Sequence, residues 1–172
     1  MKIIINLLKL LKPDYINYDL ETFDFNVLKK LKITNIFIDL DNTIVSRYEF
    51  DVSKYTINKF NKLENEGFKF YIISNNSKPN RVNKISSLLN IEATYLSLKP
   101  LTWTIGRIIK NNSLNKDSCI IIGDQLFTDI LTGKLLNIST MLVKPLSIEK
   151  NYFRRKMIEL ERNIIKLVVA NV

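Results

Sequence analysis

The feature that most constrains this chain is an alternation. Five short apolar runs, at 35–39, 68–73, 93–96, 118–122 and 139–143, read as strands. They are separated by helical patterns at 52–66, 79–89, 101–111 and 125–136. Strand followed by helix, repeated, calls for a parallel sheet covered on both faces, because parallel neighbours need a crossover and the crossing helices bury the sheet. In such sheets ligands bind beyond the carboxyl ends of the strands, where the strand order reverses. The residues just past each run are therefore the ones to read.

Those tips are polar or glycine. Asp39 and Asp41 follow the first run, Ser74 and Asn75 the second, Lys99 the third, Gly123 and Asp124 the fourth. Two carboxylates two positions apart, where a strand gives way to a loop, repel each other unless a cation lies between them. Magnesium suits such a pair: it prefers oxygen ligands and takes one or two carboxylates together with water and a substrate phosphate. Asp124 offers another carboxylate. Lys99 is a point charge for a phosphoryl group, and the Ser74 hydroxyl donates to its oxygens. An aspartate also attacks phosphorus directly, while a second carboxylate protonates the leaving oxygen and later activates water. The constellation reads as phosphoryl transfer.

Each element has a plainer explanation. A DxD after a strand serves as a turn or cap. Ser74 with "NNSKP" is a helix start, with Pro79 in its first turn. Asp124 is a helix N-cap, and Lys99 a solvated loop charge. Four such elements in order, each at a strand end, are poorly explained as caps.

Composition removes the competing chemistries. There is no histidine among the 172 residues, which excludes Ser-His and Cys-His nucleophile pairs and the common zinc sites. Cys119 is the only cysteine and sits in the apolar "SCIII", so it reads as a buried thiol in a reducing cytoplasm. A net charge of +9 favours anionic partners without choosing among them.

Four stretches, "DLDNT" (39–43), "ISNN" (73–76), "LKP" (98–100) and "GDQLFTD" (123–129), resemble the motifs of the haloacid dehalogenase (HAD) superfamily. The resemblance implies a Rossmann-like α/β fold with a five-stranded parallel sheet and helices on both faces. It makes Asp39 the nucleophile and a Mg2+ ligand, and Asp41 the general acid/base whose backbone carbonyl also binds the metal. Thr43, Ser74, Asn75 and Lys99 serve the substrate phosphate and its loop, with Lys99 linking it to the nucleophile. Asp124 completes the metal site and Asp129 orients it from behind. The acid at Asp41 is the pattern of phosphatases rather than of superfamily ATPases or dehalogenases.

From Asp41 to Ser74 is 33 positions and from Ser74 to Lys99 is 25, both intervals largely used by one helix and one strand. No cap domain fits, and only a flap at 46–51 shields the site. Within the capless class these motifs, with the later "VKPL" (143–146) and the preceding "LKPDYINYDL", are similar to the YqeG-type group of subclass IIIA phosphatases, related to phosphatidylglycerophosphate phosphatase. Ser97 departs from the alanine expected there. The expected organisation is a single domain over 1–172: a helical N-terminal segment at 1–33, a catalytic core at 34–146 and an amphipathic C-terminal helix at 147–172.

The resemblance implies a cytoplasmic, magnesium-dependent phosphomonoester hydrolase, peripheral at the inner face of the membrane, acting on phosphatidylglycerophosphate. Two alternatives stand beside it: a nucleotide or nucleic-acid-end phosphatase, and a non-catalytic binding module on the same fold. Against stable nucleic-acid binding, Phe68, Phe70 and Tyr71 fall in a core strand and offer no stacking platform. Two amphipathic segments bear on the lipid reading. In "MKIIINLLKLLK", Ile4, Leu7, Leu8 and Leu11 share a face, and the stretch lacks the cleavage site of a secretory signal. In the C-terminal segment Phe153, Met157, Leu160, Ile164 and Leu167 do the same. Such faces pack on a core or lie on a membrane. Arg47, Tyr48 and Arg81 are placed near the pocket as candidates for choosing the substrate.

Overall fold

The computed structural model describes residues 10–17 and 19–170. Its sheet has six strands, all pairing in parallel: β1 (Tyr15–Asn17), β2 (Asn35–Ile38), β3 (Lys69–Ile73), β4 (Glu92–Thr94), β5 (Cys119–Gly123) and β6 (Ser139–Val143), in the spatial order β1-β6-β5-β2-β3-β4. The helices are α1 (Asn26–Lys30), α2 (Lys54–Asn65), α3 (Pro79–Leu89), α4 (Trp103–Asn111), α5 (Leu131–Leu136) and α6 (Tyr152–Ala170).

The predicted five strands become six. The N-terminal segment, read as helical, contains β1 and the short α1 in its described part, with Leu10 also helical. A three-residue strand is too short to show a period of two. Tertiary bonds fix it instead: Asp14 Oδ2 accepts both the N–H and the hydroxyl of Thr140, and Asp14 N–H donates to Thr140 Oγ1 at 3.0 Å. Residues 1–9, which carry most of the first amphipathic pattern, lie outside the described residues. No described helix is long and apolar enough to cross a membrane.

Alternation along the central strands builds two cores. Ile36, Ile38, Phe70, Ile72, Ile120 and Ile122 face α1, α2 and α3 through Leu28, Phe60, Leu63, Val82, Ile85 and Leu89. On the other side Phe37, Tyr71, Ile73 and Ile121 meet Ile105, Ile108 and Ile109 of α4 and Leu136 of α5. Cys119 is buried in this second core as a free thiol, and Phe68, Phe70 and Tyr71 are buried as the sequence suggests.

The helix expected over 125–136 opens with a π-helical turn, Leu126–Ile130, before α5. Widened turns of this kind often stand at functional sites. Helix α6 packs over the β6 side of the sheet, where Ile164 and Ile165 meet Leu11, Leu126, Ile130 and Leu142. The stripe foreseen on that helix divides: Ile164 packs, while Phe153, Met157 and Leu160 are exposed.

Candidate active site

Strands β2 and β5 are neighbours, and the chain order reverses between them. The cleft opens beyond their carboxyl ends, with a volume of about 610 Å3. Asp39, Asp41, Arg47, Arg81, Lys99 and Asp129 are among its lining residues.

Asp39 N–H donates to Ile122 O at 2.9 Å, which holds the first carboxylate where β5 ends. The loop then turns sharply. Asn42 takes a left-handed conformation, φ 66°, and its N–H donates to Val45 O at 2.7 Å. The Asn42 side chain accepts from Arg47 N–H and from the Ser147 hydroxyl, and its carbonyl accepts from Leu146 N–H. Asn42 thereby ties "DLDNT" to the segment after β6, at the end of "VKPL". Thr43 is buried beneath the loop, not on the cleft, and its hydroxyl has no partner among the described residues.

Past β3, Ser74 is fully buried and its hydroxyl accepts from Asn76 N–H. Asn75 clamps the lysine loop. Its side-chain amide donates to Lys99 O at 2.9 Å, and its oxygen accepts from Lys99 N–H at 2.8 Å and from Ser97 Oγ at 2.9 Å. The unexpected serine at 97 is therefore part of that clamp.

Lys99 Nζ, 2% exposed with its side chain, stands between two carboxylates, 2.6 Å from Asp39 Oδ1 and 2.6 Å from Asp129 Oδ1. Burial draws the ammonium's pKa down, but Asp129 and Asp39 outweigh it and hold Lys99 above its usual value. For Asp39 burial is the largest influence and raises its pKa to about 6, Lys99 pulling it down and Asp129 pushing it up. Asp129 comes this close because β5 ends in glycine: a Cβ on Gly123 would overlap the Asp129 side chain.

Asp124 is the informative residue. Both its oxygens are buried with no hydrogen-bond partner among the described residues. Burial, and then Asp39 and Asp129, raise its pKa well above the usual range. A carboxylate that caps a helix has a donor; this one has none, so the cap explanation fails. An orphaned buried carboxylate facing a second one is a fit for a hard divalent cation. Among the described residues no three acidic, histidine or cysteine side chains form a ready-made cage.

Asp41 is held apart from this group. Arg81 of α3, 3% exposed, places one guanidinium nitrogen 2.5 Å from Asp41 Oδ1 and donates to Ser46 O and Glu49 O. Asn76 donates to Asp41 Oδ2 at 2.9 Å, and Arg47 lies 3.5 Å from the same oxygen. Arg47 also reaches Glu149, to which the Tyr48 hydroxyl donates. The three candidates placed near the pocket thus all line it.

Sequence reasoning missed Glu149, Glu161 and the clamp by Asn76. Their partners lie 101, 34 and 35 positions away, and no local pattern announces such pairs.

Comparison with known proteins agrees. A model of the HAD-hydrolase-like family matches residues 98–145. The probable phosphatase YqeG of Bacillus subtilis strain 168 is 34% identical over 138 residues, 80% of each chain. Among solved structures, a hypothetical protein from Xanthomonas campestris superposes with TM-score 0.55 at 11% identity, over 91% of this chain and 94% of that one. A predicted HAD-like family hydrolase from Porphyromonas gingivalis gives 0.54 at 12% identity, over 73% and 98%. Those two similarities concern the fold alone.

Proposed function

This chain belongs to the HAD-like phosphatases, in the family of YqeG, and from that premise we propose that it is a Mg2+-dependent phosphomonoester hydrolase working through an aspartyl-phosphate on Asp39. The observation that carries the reading is Lys99 fixed between Asp39 and Asp129, beside the unpartnered Asp124.

Asp39, with a pKa of about 6, is mostly ionised at neutral pH and attacks phosphorus. The bond from phosphorus to the leaving oxygen breaks, and Asp41 delivers the proton that oxygen needs. Asp41 then takes a proton from water, which attacks the phosphoryl group and frees Asp39 and inorganic phosphate. Lys99, with the backbone and hydroxyl donors of the Ser74 loop, offsets charge on the phosphoryl oxygens. Arg81, Asn76 and Arg47 aim the Asp41 carboxylate. Asp39, Asp124 and the Asp41 carbonyl would hold Mg2+, which would supply neutralisation of charge on the phosphoryl group.

The substrate we propose is phosphatidylglycerophosphate, in phospholipid biosynthesis at the inner face of the cytoplasmic membrane. Among the described residues one helix and one strand take up most of each interval between the motifs and no cap domain covers the cleft, which suits a phosphate presented on a surface better than a small sugar phosphate needing enclosure.

The test is phosphate release from that lipid in mixed micelles, beside a soluble phosphomonoester, a nucleotide and a 5′-phosphorylated DNA end, with and without chelator and with Asp39→Asn as blank. Chelator-sensitive preference for the lipid is expected. Turnover confined to soluble substrates removes the lipid assignment, and turnover by Asp39→Asn removes the mechanism.

A further inference from the structure

The carboxyl-terminal edge of the sheet carries apolar side chains where a soluble enzyme's mouth is usually polar. Between β4 and α4, Leu96, Leu98, Leu101 and Trp103 are exposed, Trp103 to 74%. Phe50 is exposed on the flap and Ile148 on the segment after β6. Along the first turns of α6, Phe153 at 80%, Met157 and Leu160 form a stripe at i, i+4, i+7. That stripe borders the cleft, since Met157 and Arg154 line it. Scattered exposed leucines need no explanation, but apolar groups on three segments that each send a residue into the cleft, Phe50 from the flap, Lys99 from the β4–α4 loop and Met157 from α6, do.

Two of these residues are held outward at a cost. Leu96 and Leu98 adopt left-handed backbone, φ 48° and φ 57°, a conformation unfavourable for any side chain but glycine's. The strain sits on either side of Ser97, whose hydroxyl is in the Asn75 clamp. The geometry that buries Lys99 also turns two leucines toward solvent.

Charge identifies what covers this rim. Between β6 and the far end of α6 the exposed cations are Lys144, Lys150, Arg154, Arg155, Lys156, Arg162 and Lys166, and the one exposed acid described there is Glu159. Glu49 and Asp51 on the flap are the other exposed acids near the mouth, and Asp51 is paired with Lys84. A protein partner fitting an apolar ring this basic would need matching acidic and apolar groups on several separated loops. An anionic bilayer supplies both everywhere on its surface: acidic headgroups for the cations, and an interface that takes up Trp, Phe and Leu.

We propose that the rim formed by the β4–α4 loop, the flap and the start of α6 is a docking surface for an anionic lipid bilayer, seated with the cleft facing the membrane. The proposal rests on the reading of the protein as a phospholipid phosphatase and adds the surface by which it reaches a substrate that stays in the membrane.

The test is co-sedimentation of the full chain with vesicles of phosphatidylcholine alone or with phosphatidylglycerol, across a salt series and with a 5′-phosphorylated duplex DNA as competitor. Two variants accompany it, Leu101→Ser/Trp103→Ser/Phe153→Ser and Arg155→Ser/Lys156→Ser. Wild type should bind the anionic vesicles and not the neutral ones. Each variant should weaken that binding by about tenfold or more, with hydrolysis of a soluble phosphomonoester unchanged. Equal binding by wild type and both variants, no binding to anionic vesicles, or displacement by DNA at lower concentration than the vesicles overturns the surface. Each of those results leaves the phosphatase reading standing if the wild type still hydrolyses the lipid in detergent micelles. Failure in micelles is the separate result that removes the reading beneath it.

Discussion

Lys99 Nζ lies 2.6 Å from Asp39 Oδ1, with both side chains buried. The same ammonium lies 2.6 Å from Asp129, so one cation offsets two carboxylates inside the protein. Asp129 is the more buried of the pair. It fixes the lysine, and the lysine fixes the orientation of Asp39.

Replacing Lys99 by Met should therefore act on stability and on catalysis together. It leaves Asp39 and Asp129 without their cation, a loss on the order of 3–5 kcal/mol for a broken buried pair. It also removes charge stabilisation worth about a hundredfold or more in turnover. Urea unfolding and phosphate release on the same preparation check both. Full activity in Lys99→Met would mean the lysine is structural only.

Asp124 gives the metal prediction. In metal-free protein its carboxyl group faces Asp39 and Asp129 with no donor, so Asp124→Asn should raise the metal-free melting temperature by an amount that grows as pH rises through the elevated range in which Asp124 gives up its proton. The same change should abolish stabilisation by Mg2+. For wild type at a hundred times the dissociation constant, that stabilisation is about 2.7 kcal/mol. Calorimetry with and without Mg2+ separates the two effects. Equal Mg2+ stabilisation in wild type and variant would remove Asp124 from the metal site.

How much of this was legible in sequence depends on distance along the chain. The strands β2, β3, β5 and β6 announce themselves because each is buried and rich in branched residues, and their polar tips follow at once. The tips meet because strand order, absent from any local pattern, sets β5 beside β2. What escaped was held by partners far away. Strand β1 exists through Asp14 and Thr140, 126 positions apart. Arg81 was suspected near the pocket, but its bond to Asp41 across 40 positions was not visible. The exposed rim escaped for a different reason: Leu96 reads as the end of the strand at 93–96 and Leu98 as the start of "LKP", and only their backbone angles turn them outward.

Arg81 is the next case. With its guanidinium on Asp41, Ser46 and Glu49, it joins α3 to the acid/base and to the flap. Arg81→Ala leaves the Asp41 carboxylate buried with Asn76 and the more distant Arg47, and should cost about 3 kcal/mol. Arg81→Lys should recover part of that stability but not the activity, because an ammonium cannot reach all three oxygens in a planar fork. Denaturation and kcat measured on both variants decide it. A fully active lysine variant would show that charge alone suffices.

Glu161 of α6 gives a pH dependence of the fold. It is 5% exposed, it accepts the Phe127 N–H at 2.9 Å, and burial raises its pKa to about 7, with Asp129 adding to the rise and the Phe127 and Leu126 amides opposing it. Between the ordinary value of 4.5 and about 7 the folded protein therefore holds a proton that the unfolded chain has released. Stability from this group is full below the unfolded value and falls as pH rises through the folded one, by on the order of 2 kcal/mol. Glu161→Gln keeps an oxygen for the Phe127 amide and cannot ionise. It should match wild type near pH 4.5 and be the more stable protein near pH 8, with slower hydrogen exchange at Phe127. Because α6 brings Glu161 to the cleft together with Arg154 and Met157, the ionised glutamate should loosen one wall of the mouth, and its charge also bears on Asp129. A constant difference between the two proteins from pH 4.5 to pH 8 would show that Glu161 is not protonated in the fold.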